Sequence, residues 1–189
     1  RGGPQGPLCV AMSGLVHVYT GDGKGKTTAA LGMALRAAGH GLHTYVGQFM
    51  KGQTYGELAA PALLGNDAAG YPLLTIEQYG KPAFLRAEQV SEQDRRQAHA
   101  GLAKAEAAMR GGGYELVVLD EVNIALYFGL LAVDEVLSLI EARPAPIELI
   151  LTGRRAPEAI LERADYVTVM QQVKHPYERG IEAREGIEF

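Results

Sequence analysis

The stretch Val18-Tyr19-Thr20-Gly21-Asp22-Gly23-Lys24-Gly25-Lys26-Thr27-Thr28 decides the architecture of this 189-residue chain. It leaves a β-branched and aromatic run, Leu15–Thr20, and passes through three glycines. It then enters Thr27-Thr28-Ala29-Ala30-Leu31-Gly32-Met33-Ala34-Leu35, a helical pattern. Strand, Gly-rich loop with Gly-Lys-Thr, then helix is the context that makes a Walker A reading specific. The glycines let backbone N–H groups converge on phosphate oxygens, and the helix N-terminus adds about half a positive charge. Lys26 offers a point charge to the phosphates, and the Thr27 hydroxyl is placed for Mg²⁺. The expected nucleotide-binding segment is therefore Thr20, Gly21, Asp22, Gly23, Lys24, Gly25, Lys26, Thr27 and Thr28. Thr20 stands six residues before Lys26, where a first glycine is usual. The alternative is a Gly-rich turn with incidental lysines.

Working outward, short aliphatic runs alternate with longer helical patterns, as in a parallel sheet wrapped by helices. Strands are expected over Leu15–Thr20, Thr44–Phe49, Leu73–Tyr79, Leu116–Asp120, Ile147–Thr152 and Tyr166–Gln171. Helices are expected over Lys26–Ala38, Ser91–Arg110, Val133–Ala142 and Pro157–Arg163. Ser91 with Asp94 reads as a capping box, and Gly111-Gly112-Gly113 stops that helix. Gly65–Tyr71 reads as a surface loop. Residues 1–13 read as a flexible leader and residues 14–189 as one domain. The fold class is α/β: a P-loop NTPase-like domain with a mostly parallel, roughly six-stranded sheet.

The run Leu116-Val117-Val118-Leu119 is continuously apolar, as a central strand buried on both faces requires, and it ends in Asp120-Glu121. In nucleotide-hydrolysing P-loop proteins an acid there holds Mg²⁺, and a following Glu can serve as base. Thr27, Asp120 and Glu121 are the expected metal residues, and Lys26 and Glu121 the expected catalytic ones. Composition narrows the rest. Eighteen Lys+Arg against 22 Asp+Glu give a net charge of −4, with no electrostatic footprint for nucleic acid. The single Cys9 excludes an internal disulfide framework or a multi-cysteine zinc site. No apolar run approaches the length of a spanning helix, so a soluble, cytoplasmic protein is expected.

Further segments fall at strand ends: Gly47-Gln48-Phe49-Met50-Lys51-Gly52, Asp120-Glu121-Val122-Asn123, Thr152-Gly153-Arg154, Lys174-His175-Pro176-Tyr177, and Gly180-Ile181-Glu182-Ala183-Arg184-Glu185-Gly186-Ile187-Glu188-Phe189. With the Gly-rich loop, and in this order, they resemble the ATP:corrinoid adenosyltransferases of the BtuR/CobO type over nearly the whole chain from Gly14. The resemblance implies ATP as co-substrate, Mg²⁺, a reduced corrinoid as substrate, an electron-donor protein such as a reductase or flavoprotein, and a homodimer. It implies attack of Co(I) on the 5′ carbon of ATP with loss of triphosphate. The triphosphate is expected to lie reversed in the loop relative to kinases. Arg154 is expected to reach phosphates or ribose, and His175 to touch the nucleotide; for each the alternative is an ordinary solvated side chain. His17, His40, His43 and His99 read as structural or solvated.

Gln48, Phe49, Lys51 and Phe84 are the corrinoid-facing candidates. Some members carry a Gly-x-Thr-Trp-x-Thr segment after the third strand; here Gly80-Lys81-Pro82-Ala83-Phe84-Leu85-Arg86 stands there, and the chain has no tryptophan. Two other functions use the same loop: a phosphotransferase or ATPase releasing ADP, and a nucleotide-gated corrinoid-binding module without chemistry.

Overall fold

Strands with apolar residues at both parities need cover on both faces, and this fold supplies it. The computed structural model describes residues 13–81 and 90–189. Six strands are present there: β1 (Val16–Thr20), β2 (Thr44–Phe49), β3 (Leu74–Tyr79), β4 (Leu116–Asp120), β5 (Glu148–Thr152) and β6 (Tyr166–Val169). They form one sheet in the order β3-β2-β4-β5-β1-β6, and every pairing is parallel. The leader expected over residues 1–13 lies outside the described residues except for Ser13, and so does Phe84.

On one face α1 (Lys26–Ala38) and the short α2 (Ala60–Leu64) pack against Tyr19, Val46, Val118 and Ile150. On the other, α3 (Glu92–Arg110), α4 (Val122–Tyr127), α5 (Val133–Glu141) and α6 (Glu158–Leu161) cover Val18, Phe49, Val117, Leu119, Leu149 and Leu151. The switch of face between Val117 and Val118, and between Leu149 and Ile150, is the period-2 alternation of a strand buried on both sides. At the sheet edge β6 is exposed along its whole length.

The sequence reading and the structure agree on every long element, with differences of a few residues at the ends. Ser91 caps α3: its hydroxyl accepts from Asp94 N, and Asp94 Oδ2 accepts from Ser91 N at 2.9 Å. The strand expected to reach Gln171 stops at Val169, where Met170 O turns to accept Gly23 N at 2.7 Å. The helix expected over Pro157–Arg163 shortens to Glu158–Leu161, because Arg163 and Ala164 donate to carbonyls three residues back. Besides the 3-10 turn Pro176–Arg179, two elements went unread. The 3-10 turn Gly56–Ala59 with α2 is too short to show a period. The helix α4 follows β4 after the single residue Glu121, with no glycine, proline or serine to mark a break.

Beneath β2 and β3, Tyr45 Oη donates to Glu77 at 2.9 Å and lies 2.8 Å from Tyr79 Oη, which also bonds to Glu77. Burial, then the hydrogen bond to Glu77, pushes Tyr79 up to about 12; burial pushes Tyr45 higher still. A raised folded-state value leaves stability untouched below the unfolded value near 10 and erodes it as pH rises through the folded one. Urea unfolding from pH 8 upward should show a decline beginning near pH 10. The Tyr45→Phe/Tyr79→Phe pair should make that decline shallower.

Candidate functional site

Sheet register lines up four polar side chains at the carboxyl end of the strands. Gln48 on β2 is the partner of Gln78 on β3 and of Asp120 on β4, and pairing of Leu119 with Leu151 places Thr152 on β5 next in the row. Alternation puts all four on the α1 face. They form a continuous chain: Gln78 Nε2 donates to Gln48 Oε1 at 3.0 Å, Gln48 Nε2 to Asp120 Oδ2 at 3.2 Å, and Thr152 Oγ1 to Asp120 Oδ1 at 2.7 Å. From the helix side Thr27 Oγ1 donates to the same Asp120 Oδ1 at 2.8 Å. Asp120, Gln48 and Thr152 are each 0% exposed. A carboxylate so deep needs donors on both oxygens to offset the water it has lost.

Lys51, just past β2, completes the cluster. Its Nζ donates to Asp120 Oδ2 at 2.8 Å, lies 3.5 Å from Glu57 and sits over the Tyr55 ring. Burial pulls the Lys51 ammonium down, but the charge and hydrogen bond of Asp120, then Glu57, outweigh it and hold the value above the ordinary one. Glu57 also accepts from Gln48 Nε2 at 2.9 Å.

Lys26 curls over its own loop, donating to Gly21 O at 2.7 Å and Gly23 O at 2.6 Å. Burial lowers its pKa; Glu121 opposes that, and Arg154 adds to it. Gly21 and Gly23 pack on Met170 and Gln171 so closely that a Cβ on either would lie under 3 Å from backbone. That close approach is the reason glycine is required there. Thr20 does something else: its hydroxyl accepts from Ala156 N at 3.3 Å, tying the loop to the segment after β5.

Glu121 caps α4 in the left-handed region at φ 61°, and its N–H donates to Thr152 Oγ1 at 2.9 Å. Met50 after β2 (φ 58°) and Arg155 after β5 (φ 57°) share that conformation, and among the described residues no other non-glycine does. Backbone strain thus falls at the carboxyl ends of three adjacent strands, beside the polar row, and makes this edge the candidate site. Burial first, then Asp120, raises the Glu121 carboxyl; Lys51, Lys26 and Arg154 pull it partly back.

Two cavities meet at this edge. One, of about 250 Å³, is lined by the loop from Gly23 to Thr28, with Glu121, Arg154, His175, Ile187 and Glu188. The other, of about 310 Å³, has Phe49, Met50, Ile124 and Phe128 as apolar wall and Lys51, Lys81 and Arg154 among its polar lining. Glu121 and Arg154 belong to both. Arg154 is half exposed and 3.9 Å from Asp22. His175 faces the loop cavity, its Nδ1 accepting from Tyr177 N at 3.2 Å.

The comparison with known proteins now bears on this geometry. The sequence model of the family described as ATP:corrinoid adenosyltransferase BtuR/CobO/CobP matches residues 12–189. The chain belongs to this family. It is similar to a corrinoid adenosyltransferase of Pseudomonas aeruginosa, 39% identical over 178 residues that cover 93% of this chain and 84% of that one. The corrinoid adenosyltransferase CobA of Salmonella typhimurium is 34% identical over 177 residues, covering 93% and 86%. An uncharacterised protein of Nostoc sp. is 38% identical over 175 residues, 87% of this chain; there the chain spans only 46% of the relative's length.

Within this corrinoid adenosyltransferase-family fold, the expected loop residues from Gly23 to Thr28, with Glu121, Arg154 and His175, surround one cavity. Asp120 lies beneath it, bonded to Thr27. Phe49 and Lys51 line the apolar cavity, but Gln48 is buried in the polar row instead. Sequence reasoning missed Gln78, Thr152 and Glu57 as parts of the cluster. Thr152 was within reach, as the last strand residue before Gly153-Arg154. Glu57 carried no signal, since only the turn after β2 folds it back onto Gln48 and Lys51.

Proposed function

We propose that this chain transfers the 5′-deoxyadenosyl group of ATP to the Co(I) of a reduced corrinoid and releases triphosphate. The observation that carries the proposal is the pair of adjoining cavities, one a Gly-rich cationic loop, the other apolar, with Glu121 and Arg154 between them. In the step, the cobalt electron pair forms a Co–C bond at C5′ while the C5′–O bond breaks, its electrons leaving with triphosphate. No side chain has to supply a nucleophile or take a proton. The protein's task is to align the reactants and stabilise charge that grows on the leaving group. Lys26 would leave its loop carbonyls to meet triphosphate oxygens, together with loop N–H groups and Arg154. The shared boundary favours an ATP whose 5′ carbon faces the apolar cavity and whose phosphates run back along the loop toward Lys24.

The oxygen donors at the loop suit Mg²⁺, which takes one or two carboxylates and completes its shell with phosphate and water. The Thr27 hydroxyl already meets Asp120 at 2.8 Å; Thr27, Asp120 and Glu121 would hold the ion. Bound there, it would neutralise charge on the departing phosphates. The apolar wall of Phe49, Met50, Ile124 and Phe128 would take the corrin face and exclude water. Among the described residues no helix is long and apolar enough to cross a membrane. Because the substrate must be held as Co(I), we place the protein in the reducing cytoplasm, served by a separate electron-donor protein and acting as a homodimer.

Anaerobic incubation with Mg-ATP and chemically reduced cobalamin tests the reading. Loss of Co(I) absorbance, a light-sensitive product and triphosphate are the expected result. ADP and phosphate with the corrinoid untouched would replace it by a phosphotransferase or ATPase. Corrinoid binding without transfer would leave a binding module.

A further inference from the structure

The tail of the chain reaches back to the loop. Lys24 Nζ donates to Glu188 Oε1 at 2.8 Å and to Ile187 O at 3.1 Å. Arg184 grips the same carboxylate through Nε at 3.2 Å and Nη2 at 3.1 Å, and its backbone N–H adds a third bond at 2.9 Å. A turn closes the segment, with Glu188 N donating to Arg184 O at 2.9 Å and Gly186 N to Phe189 O at 2.8 Å. Those bonds, from Arg184 first and Lys24 next, hold the Glu188 carboxyl down to about 2. It is therefore an anion at any working pH. Ile187 and Glu188 both line the loop cavity.

Beyond Glu188 lies a third cavity, of about 700 Å³, which shares Gly23, Lys24, His175 and Glu188 with the loop cavity and is also lined by Lys174 and Arg184. It lies on the loop's tail side, whereas the apolar cavity meets the loop at Glu121 and Arg154. An ATP whose 5′ carbon faces the apolar cavity sends its phosphate end toward Lys24. An anion bonded to a lysine of a phosphate loop is a stand-in for phosphate oxygen.

Resting on the nucleotide reading above, we propose that Glu188, positioned by Arg184, is an internal competitor for triphosphate at Lys24, so that the tail is a strap displaced when the triphosphate end binds and restored when it leaves. Glu188 is a positioning residue here. It sets how tightly the phosphate end is held, and reclosure helps expel the product. The Lys24 side chain is about half exposed, so the competition is that of an exposed pair: removing it should tighten triphosphate binding by up to about fivefold.

Two measurements on the full chain test this, both with inorganic tripolyphosphate and Mg²⁺ as the probe. Calorimetric titration of Glu188→Gln should show the tighter binding. Hydrogen–deuterium exchange of the unaltered chain should show faster exchange of the Arg184–Phe189 amides when the probe is added, an effect that loss of one nearby negative charge would not produce. Unchanged or weaker binding in the variant, or a tail that gains protection, would overturn the strap and leave the nucleotide site standing. If the unaltered chain bound no tripolyphosphate, the phosphate-loop reading would fall, and the strap with it.

Discussion

Replacing Lys26 by alanine is expected to lower adenosyl transfer by roughly a hundred- to a thousandfold, the usual cost of removing one preorganised charge or donor at a leaving group. The residue is 6% exposed, and among the described residues its ammonium is bonded within the loop, to Gly21 O and Gly23 O. Burial lowers its pKa, so the folded protein gains little from holding this charge in place. The fold should survive with its thermal midpoint almost unchanged. Single-turnover transfer with saturating Mg-ATP, next to a melting curve, checks both halves. Undiminished transfer in a folded variant would remove Lys26 from the site.

The second large effect is expected at Asp120. Alanine there strips one acceptor from four donors, Thr27, Thr152, Gln48 and Lys51, around a carboxylate that is itself 0% exposed. The worst consequence is Lys51, whose largely buried ammonium would keep the longer contact to Glu57 and the face of the Tyr55 ring but lose its close anionic partner. Breaking a buried ion pair by removing one partner costs about 3–5 kcal/mol. In a chain of this size that lowers the melting midpoint by about 10 °C. Transfer should fall at the same time, because Thr27 loses its anchor and Mg²⁺ a carboxylate. The two effects can be separated: adding Lys51→Met to Asp120→Ala should recover most of the midpoint and none of the transfer. If the double variant melts as low as the single one, the ion pair is not what stabilises this end of the sheet.

The Gly-rich loop, its strand and its helix were legible because their chemistry is local. The glycines that a Cβ would drive into Met170 and Gln171, the lysine and the threonine occupy consecutive positions, and strand and helix periods flank them. A mostly parallel sheet was legible for a related reason, since Leu116–Leu119 is apolar at both parities and demands helices on both faces; that every pairing is parallel came from the structure. Asp120-Glu121 could be picked out as the acidic end of such a strand. The short helices α2 and α4 could not, because five or six residues show no period against an adjoining apolar run.

The sequence by itself determined the Gly-rich loop between its strand and its helix and the central place of Leu116–Asp120, because local backbone preference and side-chain alternation act over a few residues. Only the tertiary structure decided the rest. Register across β3, β2, β4 and β5 turned Gln78, Gln48, Asp120 and Thr152 into one hydrogen-bonded row, which no spacing along the chain encodes. The same holds for Lys51 on Asp120, across 69 positions, and for Glu188 on Lys24, across 164. Contacts over such separations form only after the sheet has set the geometry.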